Sequence, residues 1–402
     1  MGRGVTRAAR PLRIAIATSG RFHLLDLARE LHALGYDVHF YSYVPRQRAI
    51  AFGLPAECHV NLIPLLLPIL AWFVKAPKLW PDLLERWLWA ALNRAVIARL
   101  QPCDVFICMS GIYLEAAQYA HDNFGAFVVL HRGSKHILAQ DEILANLPGA
   151  ERPSALAISR ELAGYKIARS IMIASRHVFD SFSREPGAQQ KCVINPYGVE
   201  LALFPLLPAR APNHEVVFVY AGMWTYRKGC DLLAQALQQT SGIRLVHVGA
   251  LGDCPFPAGQ PNIQHFDKVD QAALSSIYAQ ADAFVLASRE DGFGVVLAQA
   301  LASGLPILCT ADTGGQDLCH TPALTDRVHV VASDSTDALV QGLTHVANRL
   351  RHGPAFAPLT EDDRQTLTWS AYGKRYAENL EQLLQNGLPA KANGEVDHFS
   401  VA

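Results

Sequence analysis

The sequence predicts an α/β protein made of two similar units, each a doubly wound parallel sheet with helices on both faces. Three observations carry that prediction. Short apolar runs alternate with amphipathic helical patterns along most of the chain, as strand–helix–strand crossovers require. The rhythm pauses at the proline-rich PLLPARAPNHE, residues 205 to 215, and then restarts. Finally, 402 residues with 50% apolar side chains suit two cores better than one.

RIAIAT (13 to 18) reads as a first buried strand, LLDLARELHALG (24 to 35) as an amphipathic helix ended by Gly35, and DVHFYS (37 to 42) as the next strand. DVFICMS (104 to 110), FVVLHRG (127 to 133) and SIMIAS (170 to 175) continue the sheet. The second unit repeats the order with VVFVYAG, a helix from about Cys230, then IRLVHVGA, IQHF, AFVLAS, PILCT and VHVVAS. A last helix is expected from about Trp369 to Leu384. The expected organisation is a flexible N-terminus 1–10, an N-terminal domain 11–205, a second domain 206–368, a C-terminal helix 369–388 and a disordered tail 389–402.

A net charge of -1 offers no global positive field for nucleic acid. Eight cysteines without a CxxC pair or regular spacing fit reduced, buried thiols and a cytosolic compartment. The start, MGRGVTRAARPLRIAIATSG, mimics a basic signal-peptide head, but its apolar run is short and Arg21 follows at once. MGRGVT also fits the loose N-myristoylation pattern at Gly2, a match that short sequences often make by chance.

Residues 61 to 93, NLIPLLLPILAWFVKAPKLWPDLLERWLWAALN, hold four tryptophans and a proline-broken apolar run. That run is too short and too interrupted to span a bilayer. Two readings stay open: an interfacial surface in which Lys75, Lys78 and Arg86 flank tryptophans at the headgroup boundary, or a packed helical hairpin forming a substrate wall.

Ligands of doubly wound sheets bind beyond the carboxyl ends of strands, so the loops there are the candidates for chemistry. Thr18-Ser-Gly-Arg-Phe-His23 places Gly20 before a helix, where amides can approach an anion or where the chain simply turns. GxGxxG is absent and no acid closes the second strand, which disfavours nicotinamide cofactors. AGMWTYRKGCDLL, 221 to 233, sets Arg227 and Lys228 just before a helix and so offers two cations to a phosphate or diphosphate, unless this is a solvated basic turn. SREDGFGVVLAQALASGLP, 288 to 306, puts Glu290 and Asp291 beside Gly292, Phe293 and Gly294 at a helix start, with Gln299 eight residues past Asp291. Carboxylates there can grip polyol hydroxyls. HRGSKHILAQDE, 131 to 142, adds His131, Arg132, Ser134 and His136 at a strand end, either to orient a hydroxyl or to cap the next helix.

In this order, these loops resemble those of the retaining nucleotide-sugar glycosyltransferases with two Rossmann-like domains facing a cleft, called GT-B and, by sequence, family 4. The resemblance covers most of residues 13 to 387. It rests on YAGMWTYRKGCDLL, ADAFVLASREDGFGVVLAQALASGLPIL and the supporting INPYGVELALF at 194 to 204. It implies an acceptor domain followed by a nucleotide-sugar donor domain, and a donor diphosphate bound by Lys228 with Arg227 beside it. The loop of Asp291, Gly292, Phe293 and Gly294 would wrap the donor sugar, with Gly20 facing the phosphates and His131 near the sugar. Glu290, Asp291 and His131 are the implied catalytic set. His23, Arg132, Ser134 and His136 are candidates for the acceptor side. The implied reaction is a metal-independent hexosyl transfer with no cofactor, in polysaccharide or glycolipid biosynthesis. Its expected place is the cytoplasm, with peripheral contact at the inner face of the membrane.

Two departures stand out. Met223 follows Gly222 where the family usually carries an arginine shortly after that glycine. The family's second acid, which accepts bonds from the donor ribose, is here Gln299; exchanging a charged acceptor for a neutral one lowers a bond of about 1.5 to 3 kcal/mol to about 0.5 to 1.5, roughly tenfold in donor affinity. These departures leave two alternatives, a noncatalytic nucleotide-sugar or glycan-binding homologue and a sugar-nucleotide epimerase of the same fold.

Overall fold

A computed structural model of the chain describes residues 10–65, 81–208 and 215–387. Gly2, Trp72, Phe73, Lys75, Lys78 and Trp80 lie outside these residues, as do most of the proline-rich segment and the expected tail.

The first unit is a seven-stranded sheet of β1 (Arg13–Ala17), β2 (Asp37–Ser42), β3 (His59–Asn61), β4 (Val105–Met109), β5 (Phe127–His131), β6 (Ser170–Ile173) and β7 (Cys192–Ile194). Its order is β3-β2-β1-β4-β5-β6-β7. The second is a six-stranded sheet of β8 (Val216–Ala221), β9 (Ile243–Val248), β10 (Ile263–Phe266), β11 (Ala283–Leu286), β12 (Ile307–Thr310) and β13 (Val328–Val331). Its order is β10-β9-β8-β11-β12-β13, and the pairings in both sheets are parallel. Parallel strands covered on both faces read as unbroken apolar runs. In β1, Ile14 and Ile16 enter one core with the helix Phe22–Ala33, while Ala15 and Ala17 enter another with the helix Leu114–Phe124. β3 and β7 were not expected; each has three residues, too few for a period to register.

Strand order reverses between β1 and β4 in the first sheet and between β8 and β11 in the second. The loops following these strands face each other, which is where such sheets open a crevice.

The last helix, Trp369–Gly387, does not stay with the second unit. Tyr372, Tyr376, Leu380 and Leu384, spaced four apart, are buried in one core with Leu24, Leu27, Ala28 and Leu31 of the first helix. The chain thus passes between the units twice, and the two passages lie side by side. Val199 N–H donates to Leu367 O at 2.8 Å, and Val199 bridges Thr368 in parallel. The Arg375 guanidinium donates to Asn195 Oδ1, Pro196 O and Thr366 O at 3.2, 2.9 and 3.3 Å, tying both passages together. This crossing precedes the proline-rich segment expected as the linker. Among the described residues no helix is long and apolar enough to cross a membrane.

Candidate functional site

Two loops of the second sheet bring four charges together. Arg227 and Lys228 follow β8, and Glu290 and Asp291 follow β11, its neighbour in the sheet. Arg227 Nε donates to Glu290 Oε2 at 2.8 Å, and Lys228 Nζ to Asp291 Oδ2 at 2.5 Å. Glu290 is 0% exposed; its other oxygen accepts from Lys135 N of the first unit at 3.2 Å, so both oxygens are engaged. Asp291 and Lys228 are only part-buried. Burial alone would raise the Asp291 carboxyl, but Lys228 and then Arg227 outweigh it and hold the group below its ordinary range. Two cations thus stand against two carboxylates, so the cluster is neutral and each charge is compensated as it stands.

The structure explains Gly-Phe-Gly. A Cβ on Gly292 would stand 1.8 Å from Gly133 O and 2.5 Å from Gly133 C, so glycine is what lets this loop touch the first unit. Ser175 Oγ donates to Gly292 O at 2.6 Å across the same seam. Gly294 adopts φ +77° as the residue before the helix Val295–Ala302. Phe293 is buried, packed edge-on to Tyr197 with centroids 5.4 Å apart, so its ring holds the loop rather than lining the space above it.

Three of the helices that begin at this crevice have no side-chain cap at their first turn. Arg21 before Phe22–Ala33, Gly229 before Cys230–Gln238 and Gly294 before Val295–Ala302 make no side-chain cap, as Pro45 before Arg46–Ala51 and Glu185 before Pro186–Gln189 also make none, while Asp270, Ser335 and Thr360 cap theirs. Uncapped amides and the helix dipole favour an anion. The Gly20 loop is held by Thr18 Oγ1, which accepts from Gly20 N at 3.4 Å. Phe22 follows at φ +30°, a left-handed value that costs a side-chain-bearing residue about 1 to 2 kcal/mol. Gln299, on the second turn of its helix, is 8% exposed and has no side-chain hydrogen bond to another described residue. Met223 is exposed, and its carbonyl accepts from Tyr220 Oη at 2.6 Å.

Facing these loops is a cavity of about 680 Å³, lined by Arg21, Phe22, His23, Met109, Ser110, Arg132, Ser134, Glu161, Tyr197, Val295 and Trp369 among others. It opens at the carboxyl ends of β1, β4 and β5. Trp89, from the described end of the tryptophan-rich stretch, forms part of its wall. His131 does not: it is 1% exposed, with Nδ1 2.9 Å from His23 Nε2 and Nε2 3.0 Å from Tyr376 Oη. His23 stands between it and the cavity. Arg132 reaches the wall but is committed, donating to Glu161 Oε1, Gln140 Oε1 and Lys135 O at 2.9, 2.6 and 2.9 Å. His136 is buried away from the wall; its Nδ1 accepts from Leu138 N and caps the helix Ile137–Ala145, the second of the two roles open to it from sequence. Ser134 remains at the wall. Among the described residues no group of three or more His, Cys, Asp or Glu side chains is placed to hold a metal ion.

Burial lowers the imidazoles here: His23 is pulled down to about 3, and His131 is held well below its usual value by burial and then by His23. His59, His136, His177, His247, His320 and His329 are also lowered, each first by burial. The unfolded chain would protonate these rings near pH 6.5, so below that value it binds more protons than the folded one. Stability should therefore fall as pH drops from about 6.5 towards 3. Asp26 and Asp317, raised to about 6 by burial, act in the opposite sense from about pH 6 down to about 4. A thermal midpoint that holds steady or rises from pH 7 to 5 would contradict the histidine balance.

Residues 215–349 match the family described as Glycosyl transferases group 1. D-inositol 3-phosphate glycosyltransferase of Segniliparus rotundus is 28% identical over 193 residues, 42% of this chain and 41% of that protein. GDP-mannose:cellobiosyl-diphosphopolyprenol alpha-mannosyltransferase of Xanthomonas campestris is 28% identical over 209 residues, 47% of this chain and 50% of that protein. The matches thus span half or less of these curated relatives. Sucrose-phosphate synthase from Thermosynechococcus elongatus superposes with a TM-score of 0.66 at 17% identity, covering 94% of this chain and 100% of that one. The fold is GT-B. The matched family segment contains all four charges and Gln299.

Several residues of the GT-B cleft carry no local signal in the sequence. Tyr197 lies within the INPYG run but reads as a loop aromatic; in space it stacks on His23 at 4.3 Å. Tyr376 reads as helix core. Lys135 Nζ meets Asp312 Oδ1 at 2.6 Å across the units, a pairing 177 residues apart.

Proposed function

We propose that the chain is a glycosyltransferase that moves a sugar from a nucleotide-diphosphate donor to a glycan or lipid-linked acceptor, with retention of configuration. The observation that carries this reading is the compensated cluster of Arg227, Lys228, Glu290 and Asp291 at uncapped helix starts, within the segment that matches a glycosyltransferase family. In this reading the donor diphosphate takes the Lys228 ammonium and the helix amides, and Asp291, released from Lys228, accepts hydrogen bonds from sugar hydroxyls. Glu290 holds Arg227 in place and joins the two units. As the anomeric C–O bond to phosphate breaks, the acceptor oxygen bonds to the same face and its proton passes to the departing phosphate oxygen. Cations and amides fixed in advance stabilise the charge that develops there.

The polar end of the cavity, with Ser110 and Ser134, suits the hydroxyls of an acceptor, while Trp89, Met109 and Ile112 give an apolar wall. An acceptor with a sugar head and a lipid-linked tail fits that division. Peripheral membrane contact through residues 61–93 is part of the same proposal; Trp87 of the helix Pro81–Ile97 is 56% exposed. Flotation with anionic liposomes should fall for the Trp72→Ser, Phe73→Ser, Trp80→Ser variant. Equal flotation of both proteins would remove the membrane from this picture.

The deciding experiment is incubation with UDP-, GDP- and ADP-sugars, following nucleoside diphosphate release. Release coupled to a new glycoside is expected. Binding without release favours the noncatalytic homologue suggested by Gln299 and Met223, and interconversion of sugars favours an epimerase. Within the proposed reaction, Gln299→Glu should tighten nucleoside diphosphate binding by up to about tenfold, because a charged acceptor replaces a neutral one. Weaker binding in calorimetry would mean that the Gln299 amide donates, and the ribose role would be wrong.

A further inference from the structure

The cavity-facing histidine ends a buried hydrogen-bonded chain. His23 Nε2 lies 2.9 Å from His131 Nδ1, and His131 Nε2 lies 3.0 Å from the Tyr376 hydroxyl. His131 and Tyr376 stack at 5.5 Å with an interplanar angle of 10°, and Tyr197 supports His23 from its other side. Each of these contacts needs one proton and one lone pair, so neutral rings allow two arrangements. In one, Tyr376 O–H donates to His131 Nε2 and His131 Nδ1–H donates to His23 Nε2. In the other, both bonds run the opposite way, and the Tyr376 hydrogen must find a further acceptor. Tyr376 is fully buried and His131 is its hydrogen-bond partner among the described residues, so the second arrangement strands a buried donor.

We infer that Tyr376 is a positioning residue: acting through His131, it fixes the tautomer of His23 and presents His23 Nδ1–H to the cavity as a hydrogen-bond donor for an oxygen of the bound donor substrate. His23 lines the cavity, and its Nδ1 has no hydrogen bond to another described residue. The tautomer follows from geometry alone; only the identity of the oxygen rests on the proposed function. A fixed neutral donor suits a site that reads hydroxyl or phosphate oxygens, since it supplies a directed bond without adding a charge. The C-terminal helix thereby contributes to a site that it does not line through Tyr376 itself.

The test is a long-range proton–nitrogen NMR spectrum of the full chain labelled at histidine, without ligand. His23 should be protonated at Nδ1 and bare at Nε2; the reverse pattern overturns the inference. In Tyr376→Phe, His131 loses its donor, and both histidines should redistribute between tautomers. The KM for the donor that the assay identifies, tried first with UDP-glucose and GDP-mannose, should rise about three- to tenfold, as expected for one neutral hydrogen bond. An unchanged His23 tautomer in that variant would leave Tyr376 a merely structural residue. Titration distinguishes the oxygen: a His23 Nδ1 shift with UDP or GDP alone assigns a phosphate oxygen, and one seen only with the intact nucleotide sugar assigns a sugar hydroxyl. Nucleotide-sugar binding that leaves Nδ1 unmoved overturns the contact. If no nucleotide binds, the donor-site reading falls, and the tautomer spectra still decide the role of Tyr376.

Discussion

Replacing Lys228 with alanine should weaken nucleoside diphosphate binding by about 10- to 100-fold, the factor that corresponds to losing charge-assisted bonds of roughly 1.5 to 3 kcal/mol. Two effects add in the same direction. The phosphate oxygens lose a cation, and Asp291 keeps its carboxylate beside the ligand without the ammonium that now balances it at 2.5 Å. The Asp291 carboxyl should rise, because Lys228 is the largest influence opposing its burial. Lys228→Arg should recover part of the affinity, since the charge is kept but the reach and shape differ. Calorimetry with UDP and GDP measures both variants. An alanine variant that binds and turns over like the parent would remove Lys228 from the site.

Gly292→Ala should lower kcat/KM by about 100-fold or more, equivalent to roughly 2.7 kcal/mol of barrier, while the cores stay folded. The added methyl would stand 1.8 Å from Gly133 O, and both partners are backbone, so no rotamer change can relieve the overlap. The loops must separate. That separation breaks the Ser175–Gly292 bond and pulls Glu290 from Lys135 N, while the three atoms nearest the methyl belong to Gly133 and Ser134, outside the large core of the second unit. Thermal melting close to the parent together with lost transfer is the expected pair of results. Full activity would show that the seam need not close for the reaction.

The fold was legible where burial leaves a mark along the chain. β1, β4, β5 and β8 are buried throughout or nearly so, and their apolar runs stand out in the sequence. β3 and β7 do not, because a three-residue edge strand is defined by its neighbour's hydrogen bonds rather than by its own composition. Four-residue spacing at Tyr372, Tyr376, Leu380 and Leu384 announces a buried helix face but does not say which unit covers it. The site divides in the same way. Loops of fixed local chemistry, such as RKG and DGFG, could be picked out, whereas pairings set by the packing of two units could not. Whether His23 or His131 faces the cavity depends on how far each ring is sunk beneath the last helix, a fact of three-dimensional depth that residue order does not encode. The burial of Glu290 likewise depends on Lys135, 155 residues away.

The double crossing between the units has a mechanical consequence. A single flexible tether would leave one body free to rotate about every axis relative to the other. Here Asn195 to Val199 and Thr366 to Trp369 run in contact, joined by the Val199–Leu367 hydrogen bond and cross-braced by Arg375. A narrow ribbon of two paired strands bends across its thin direction and resists both twisting and bending in its own plane. The units should therefore swing about one axis, like a door, and the second strand of the hinge runs directly into the helix that carries Tyr376. Because that helix is buried with Leu24, Leu27 and Leu31 of the first unit, Tyr376 and His23 should travel together as the door swings.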